Sequence, residues 1–346
     1  MEKTENKSKR IDRERVNTFL LNYALYIILG LLILIVIIID PSFLSVNNFT
    51  NILTQASTRG ILALGVAGMI VLAGTDLSAG RIVGTCAAIS ASLVQSVNYA
   101  SRMYPQIVQD LPIIVPLLVS IIVAVLFSML NGFGVAKLNL HAFIVSLGTQ
   151  LIAFGVTCIY INSQKGGAQA ISTFNETFLN FVNGSFNIFG FRLPYLICYF
   201  ALAAVVMWVV WNKTTLGKNM FAIGGNKEAA AVSGINIARN IMGIYIVGGI
   251  LYGIAAFLEA GRIQSVNTGT GLNYDLDAIS GCVIGGVSFS GGVGTIPGVV
   301  IGVVILQAIN YSLNFLGVNP YLQYIIKGLI IILAVSIDVR KYLAKK

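Results

Sequence analysis

Apolar runs of about twenty residues recur along nearly the whole of this chain. A helix of that length rises far enough to cross the roughly 30 Å hydrocarbon core of a bilayer. Such runs lie near 19–39, 52–74, 80–97, 112–136, 141–163, 194–211, 240–260, 277–289, 294–316 and 320–337. Inside lipid each backbone polar group must be satisfied within its own segment, which restricts closely spaced spans to helices. The expected fold class is therefore all-α: a polytopic integral membrane protein of about ten transmembrane or re-entrant helical segments, forming a single domain over 1–346. The eighth segment is short and rich in glycine. The first is too long for a signal-peptide core and has no small-residue cleavage site after it, so it is expected to be an uncleaved anchor. Only 10% of residues are charged and 56% are apolar, whereas a soluble domain carries about 25% charged residues.

The net charge of +9 does not point to nucleic acid, because the cations lie in short loops and tails and not on one basic face. With the N-terminus in the cytoplasm, Lys3, Lys7, Lys9, Arg10, Arg13, Arg15, Arg81 and Lys137 fall inside. So do Lys213, Lys218, Lys227, Arg239, Arg340, Lys341, Lys345 and Lys346. Only Arg102, Lys165, Arg192 and Arg262 fall outside, while Arg59 and Lys327 lie within segments. That bias obeys the positive-inside rule and predicts cytoplasmic N- and C-termini. Residues 1–18 form a cytoplasmic tail, 164–193 an external loop and 212–239 a cytoplasmic loop. Trp208 and Trp211 suit the inner aromatic belt.

Two glycine-rich breaks interrupt the apolar pattern: "LAGTDLSAGRIVG" at 72–84 and "IGGVSFSGGVGTIPG" at 284–298. They read as a degenerate internal repeat. Broken helices at membrane depth are tolerated where protein or a watery cavity satisfies the backbone, and in transporters paired breaks mark the transport path. The alternative is that the glycines only allow close helix packing.

Enzyme chemistry has little material. The four cysteines, Cys86, Cys158, Cys198 and Cys282, sit in apolar runs without a CxxC and read as buried thiols. His141 is the single histidine, read as interfacial. The stretch 285–294 lacks the GK[ST] of a phosphate loop. Neither a cofactor nor a metal site is expected in this chain. Among charges near the membrane, Asp76 is expected to pair with Arg81. Glu259 and Arg262 have the i,i+3 spacing of an ion pair. Asp275 and Asp277 border the outer face. Arg59 and Lys327 are the deepest cations and are expected to snorkel to an interface. With no carboxylate relay, the solute is expected to be neutral and polar. Thr75, Asp76, Ser78, Asn310 and Asn314, with Ser312, are candidates for the pathway or gate, with interhelical hydrogen bonds as the alternative role.

"GGNKEAAAVSGINI" (224–237) encodes a short helix on the inner side. Asn226 is an N-cap, Glu228 suits the positive helix start, the alanines favour helix, and Gly234 supplies the left-handed stop. A helix this short needs a surface to pack on. Gly225, Asn226, Lys227, Glu228, Ala229, Ala230 and Gly234 are therefore candidates for docking a cytoplasmic partner, with a helix lying on the lipid surface as the alternative.

E228-A-A-x-x-x-G234 resembles the loop by which permease subunits of bacterial ABC importers engage their ATPases. "GTDLSAGR" (74–81), "FIVSLGT" (143–149), "GKNMFAIGGNKEAAAVSGINI" (217–237), "YDLDAISGCVIGGVSFSGGVGT" (274–295) and "NPYLQYIIKG" (319–328) resemble the monosaccharide branch of these permeases, nearly end to end. "GTDLSAGR", "EAGRI" (259–263), "SFSGGVGT" and "NPYLQYIIKG" look most like its galactose/methyl galactoside group. One departure is "LHAFI" (140–144), where Ala142 stands at the family's usual proline, so a rigid start to segment five is in question.

The resemblance implies a multi-pass permease of the bacterial cytoplasmic (inner) membrane that works as two copies. An ABC ATPase subunit, holding ATP and Mg, would sit beneath it. A soluble external or periplasmic sugar-binding protein would dock above, and Arg102, Arg192 and Arg262 are the candidate contacts, since arginine suits bidentate pairing with carboxylates. Membrane lipid completes the list of partners. The alternatives are a permease for ribose or another pentose or hexose, an ion-coupled secondary sugar transporter, and a membrane scaffold without transport.

Overall fold

The computed structural model describes residues 30–343 except 32, 165, 166, 189 and 190. The cytoplasmic tail, the first half of the expected anchor, its cations from Lys3 to Arg15, Lys165, Lys345 and Lys346 all lie outside the described residues.

The helical residues 33–39 end at Asp40, and Pro41–Leu44 form a single 3-10 turn that leads into α1 (Val46–Val71). Ser45 caps α1 by accepting from the Asn48 amide at 3.3 Å. There follow α2 (Ala79–Leu93), α3 (Ile114–Ala136), α4 (Ala142–Asn162) and α5 (Glu176–Asn183). The chain continues through α6 (Tyr195–Lys213), α7 (Thr215–Gly225), α8 (Lys227–Val232) and α9 (Ile237–Ile263). It closes with α10 (Tyr274–Ile284), α11 (Ile296–Phe315) and α12 (Pro320–Leu343). Among the described residues, α3, α4, α6, α9 and α11 are long and apolar enough to cross a membrane, and α2 and 320–333 are shorter apolar helices. Every apolar run predicted from residue 52 onwards has a helix at its centre.

The segments between the apolar runs carry elements that the runs did not predict. The segment 164–193 carries β1 (Ile171–Ser172), β2 (Ser185–Ile188) and β3 (Phe191–Pro194). The alternation in "SFNI" and "FRLP" gives β2 and β3 the period of paired strands, with Phe186 opposite Leu193 and Asn187 opposite Arg192. β1 pairs with β4 (Ser265–Val266), after α9. The segment 212–239 holds a second helix, α7, capped by Thr214. At 11 residues α10 rises only about 16 Å, roughly half the thickness of a bilayer's hydrocarbon core.

Small residues set the packing. α9 lies between α1 and α3. A Cβ at Gly253 would strike the Ile121 backbone, and a Cβ at Gly249 would stand 2.8 Å from the Val125 Cα. Ser120 Oγ donates to the Gly253 carbonyl at 2.8 Å. Backbones approach closely here because no hydrophobic effect drives helices together in lipid, so dispersion and interhelical hydrogen bonds must do it. α4 begins at Ala142 without the family's usual proline, packed 3.1 Å from the Cβ position of Gly74. All four cysteines are free, Cys86 and Cys282 fully buried, and His141 is exposed.

The loops gather at two ends. At one end, Ser96 donates its amide to Thr173 at 2.8 Å, Asn183 Nδ2 donates to the Gly261 carbonyl at 2.8 Å, and β1 joins β4. At the other lie Lys137, α7, α8 and the start of α9.

Candidate functional site

Each predicted break, 72–84 and 284–298, contains a non-helical stretch, and the two stretches meet. The first occupies 72–78, where Ala73 adopts φ 59°. The second occupies 285–295, with Gly286, Gly291 and Gly292 at φ 84°, 81° and 69°. Only glycine takes such angles without strain. Gly292 donates its amide to the carbonyl of Val71 at 2.8 Å. The end of α7 is set against this junction: a Cβ at Gly224 would overlap the Val71 carbonyl oxygen, and one at Gly291 would stand 2.9 Å from the Ala73 Cβ.

Two residues further on, α8 begins. Asn226 Oδ1 accepts from the Ala229 amide at 2.9 Å, which makes it the N-cap. Gly234 has φ 84°, and Ile235 donates its amide to Ala230 at 3.1 Å, closing a Schellman stop. Ala230 is buried, while Lys227, Glu228, Ala229, Ala231 and Val232 are exposed, with Val232 at 90%. A one-turn helix thus presents a charged and apolar face outward from the foot of both breaks.

Next to the first break lies a fully buried carboxylate. Asp76 Oδ1 accepts from the Ser78 amide at 2.9 Å, from Ser78 Oγ, and from Asn131 Nδ2 at 3.3 Å. Its Oδ2 accepts from Tyr252 Oη at 3.1 Å, and Asn131 also donates to Ser78 Oγ at 2.8 Å. The expected partner, Arg81, goes elsewhere. It donates to the Thr268 carbonyl at 3.1 Å and lies over the Phe154 ring. Asp76 is held by neutral donors from Ser78, from Asn131 on α3 and from Tyr252 on α9, while the Arg81 guanidinium is held by the Thr268 carbonyl.

Charges on α1, α9, α10 and α12 form a second cluster. Asp277 is shared by Arg59 at 2.8 Å and Lys327 at 3.3 Å, a counter-ion for both of the deepest cations. Glu259 takes a fork from Arg262, at 2.7 Å from Nε and 2.6 Å from Nη2, as the i,i+3 spacing predicted. It also accepts from Thr58 at 2.7 Å and Tyr274 at 2.7 Å, and Arg59 lies over the Tyr274 ring.

The remaining candidates are scattered. Thr75 accepts from Ser146 through its carbonyl at 3.4 Å. On α11, Asn310 and Ser312 are buried beside Gln307, and each of the three has a side-chain atom without a partner among the described residues. Asn314 is exposed and accepts from Gln323 at 3.0 Å. Neither asparagine of α11 is hydrogen-bonded to the Asp76 group. Arg102 caps its own loop through the Val97 and Pro105 carbonyls, and Arg192 is exposed on β3. Asn131 and Tyr252 were missed. The one available signal was a polar side chain or tyrosine hydroxyl inside an apolar span.

The chain matches, over residues 48–335, the family described as branched-chain amino acid transport system / permease component. It belongs to this permease family. The permease is 50% identical over 323 residues to the galactose/methyl galactoside import permease protein of Haemophilus influenzae, covering 93% of this chain and 95% of that one. Against the protein of the same name from Escherichia coli K12 the identity is 48%, covering 97% and 99%. The ribose import permease protein of Bacillus subtilis is 34% identical, covering 90% and 92%. No solved structure gave a significant match. The permease is thus a multi-pass membrane transport subunit, and the junction of breaks and α8 is a feature of a transporter.

Proposed function

We propose that this permease imports galactose and methyl galactosides across the bacterial cytoplasmic membrane, as one of two copies that together form the path. ATP hydrolysis takes place on a separate ABC ATPase. An external binding protein delivers the sugar. The observation that carries the substrate is the identity of 48–50% over at least 93% of the chain to two proteins named for galactose/methyl galactoside import, against 34% to one named for ribose. The family description speaks of branched-chain amino acids, whereas these relatives are named for galactose/methyl galactoside and ribose.

The positive-inside bias puts both termini, α7 and α8 in the cytoplasm and the β1–β4 end outside. Gly225, Asn226, Lys227, Glu228, Ala229, Ala230 and Gly234 then face the ATPase. Arg102, Arg192 and Arg262 lie at the end that receives the binding protein, Arg192 being the most exposed of the three. Closure of the ATPases on ATP would push on α8, and the backbone contacts of Gly224 carry that push to both breaks. Thr75, Asp76 and Ser78 at the first break, and Asn310 and Asn314 on α11, are the pathway or gate groups. Unsatisfied polar atoms on α11 suit a hydroxyl-rich, neutral solute.

The test is uptake. Cells without a galactose importer, supplied with this permease, its ATPase and its binding protein, take up labelled galactose, and excess methyl galactoside competes while ribose does not. Competition by ribose alone would move the substrate to the pentose branch. Uptake without the ATPase would favour a secondary transporter.

A further inference from the structure

Beside α8 a cavity of about 960 Å³ opens between the end of α3, α7 and the start of α9. Its make-up differs along its depth. Lys137, Ser233, Asn236 and Arg239 are at the helix ends, and Leu216, Met242 and Ile246 form an apolar wall beside the hydrogen-bonded pair Asn219–Asn240. On α9 the lining residues Arg239, Met242, Gly243 and Ile246 follow the i, i+3, i+4, i+7 pattern, so one helix face runs from a cation to hydrocarbon. From Arg239 to Ile246 that face descends roughly 10 Å along the helix.

The two cations are unclaimed. Neither the Lys137 ammonium nor the Arg239 guanidinium has a salt bridge among the described residues, whereas Arg59, Arg262 and Lys327 all do. No carboxylate lines the cavity. Asn219, Asn236 and Asn240 also line the cavity, but the only charged residues of its lining are the cations Lys137 and Arg239, and two unpaired cations select an anion over a neutral ligand. A soluble anion would not need the apolar wall. A cationic mouth above hydrocarbon, between helices at the membrane surface, fits an anionic amphiphile.

We propose that this cavity binds one anionic phospholipid, its phosphate on Lys137 and Arg239 and its acyl chains along Leu216, Met242 and Ile246. The lipid belongs to the cytoplasmic leaflet if the orientation proposed above holds; the site itself does not depend on that orientation. Ser233, Gly234, Ile235 and Asn236, which link α8 to α9, line the same cavity. A bound headgroup therefore braces the segment that carries force from the docking helix, and full coupling requires the lipid.

The test is native mass spectrometry of the purified full-length permease titrated with phosphatidylglycerol or phosphatidylcholine. The wild type retains one phosphatidylglycerol at least tenfold more tightly than phosphatidylcholine. The Lys137→Gln, Arg239→Gln double variant loses that preference, and Lys213→Gln, a cation over Trp208 and outside the cavity, keeps it. Equal retention of both lipids, or the same loss in Lys213→Gln, would overturn the site. So would a double variant that keeps the lipid but no longer co-purifies with the ATPase, because the cavity would then be a protein contact. If the double variant does not fold, photoactivatable phosphatidylglycerol on the wild type decides. Crosslinks to the peptides holding Lys137 or 237–246 support the site, and crosslinks found only elsewhere reject it. Failure of sugar uptake by the wild type would count against the transport assignment and leave the lipid result standing.

Discussion

Gly292 donates its amide to the carbonyl of Val71 at 2.8 Å, which ties the second glycine-rich break to the last residue of α1. Gly224, at the end of α7, fills the remaining space at that carbonyl. Three stretches distant in sequence thus touch through backbone alone. A flexible side chain would absorb a small displacement by changing rotamer, and a backbone contact passes it on. The consequence is mechanical: α8 cannot shift far without moving both breaks.

Gly224→Ala tests this directly. The added methyl meets backbone on two sides, Val71 and Gly292, so something must move, and overpacking of this kind costs about 1–3 kcal/mol. Gly225→Ala is the control, because nothing lies within 4 Å of its Cβ position. In detergent, Gly224→Ala is expected to melt several degrees below wild type and Gly225→Ala within a degree of it. Equal melting temperatures for the two would show that the junction is looser than its geometry.

Glu228→Lys separates docking from folding. Glu228 is exposed in the first turn of α8, and reversing its charge removes a favourable helix-dipole contact worth only about 0.3–1 kcal/mol. Normal amounts of protein are expected in the membrane, with sugar uptake reduced at least tenfold and the ATPase hydrolysing ATP without transport. Wild-type uptake would remove α8 from the coupling path.

How far the sequence reaches depends on the range of the interaction. Helix segments, the cap at Asn226, the stop at Gly234 and the Glu259–Arg262 pair are all local, set by residues within four positions of each other, and all were legible. The breaks were legible because glycine and hydroxyl residues interrupt a long apolar pattern. What was not legible is which distant residues meet. Asp76 lies 176 positions from Tyr252, and nothing local favours that tyrosine over the nearer Arg81. The partner shared by Arg59 and Lys327 was not legible either, because Asp277 is 218 and 50 positions away. The strands at 185–188 and 191–194 were missed because four-residue alternation is weak beside the long apolar runs around it.

Asp277→Asn leaves Arg59 and Lys327 without the carboxylate they share. Breaking a buried pair costs about 3–5 kcal/mol, and the low end applies because Lys327 keeps 24% side-chain exposure. Lys327→Met is milder, since Arg59 still neutralises Asp277 at 2.8 Å and the methionine suits lipid. Thermal denaturation in detergent is expected to rank the variants as wild type, then Lys327→Met, then Asp277→Asn. The reverse order would mean that Lys327, and not the shared carboxylate, holds α12 to α10.

The last prediction concerns the charge on Asp76. Ser78 and Asn131 donate to one oxygen and Tyr252 to the other. An asparagine fits this arrangement with its oxygen toward Ser78 and Asn131. Its amide then donates to Tyr252 Oη, whose proton is free to turn to Met69 Sδ, 3.3 Å away. Asp76→Asn therefore keeps the network closed. Asp76→Leu leaves the Ser78 amide and hydroxyl without an acceptor, at about 1–3 kcal/mol each. ATP-driven import of a neutral sugar needs the geometry of this clasp and not its charge. Asp76→Asn is expected to fold and to transport within about threefold of wild type, while Asp76→Leu is lost from the membrane. An Asp76→Asn variant that is stable but inactive would show that the carboxylate takes part in transport, and ion coupling would then have to be tested by uptake across an imposed proton gradient.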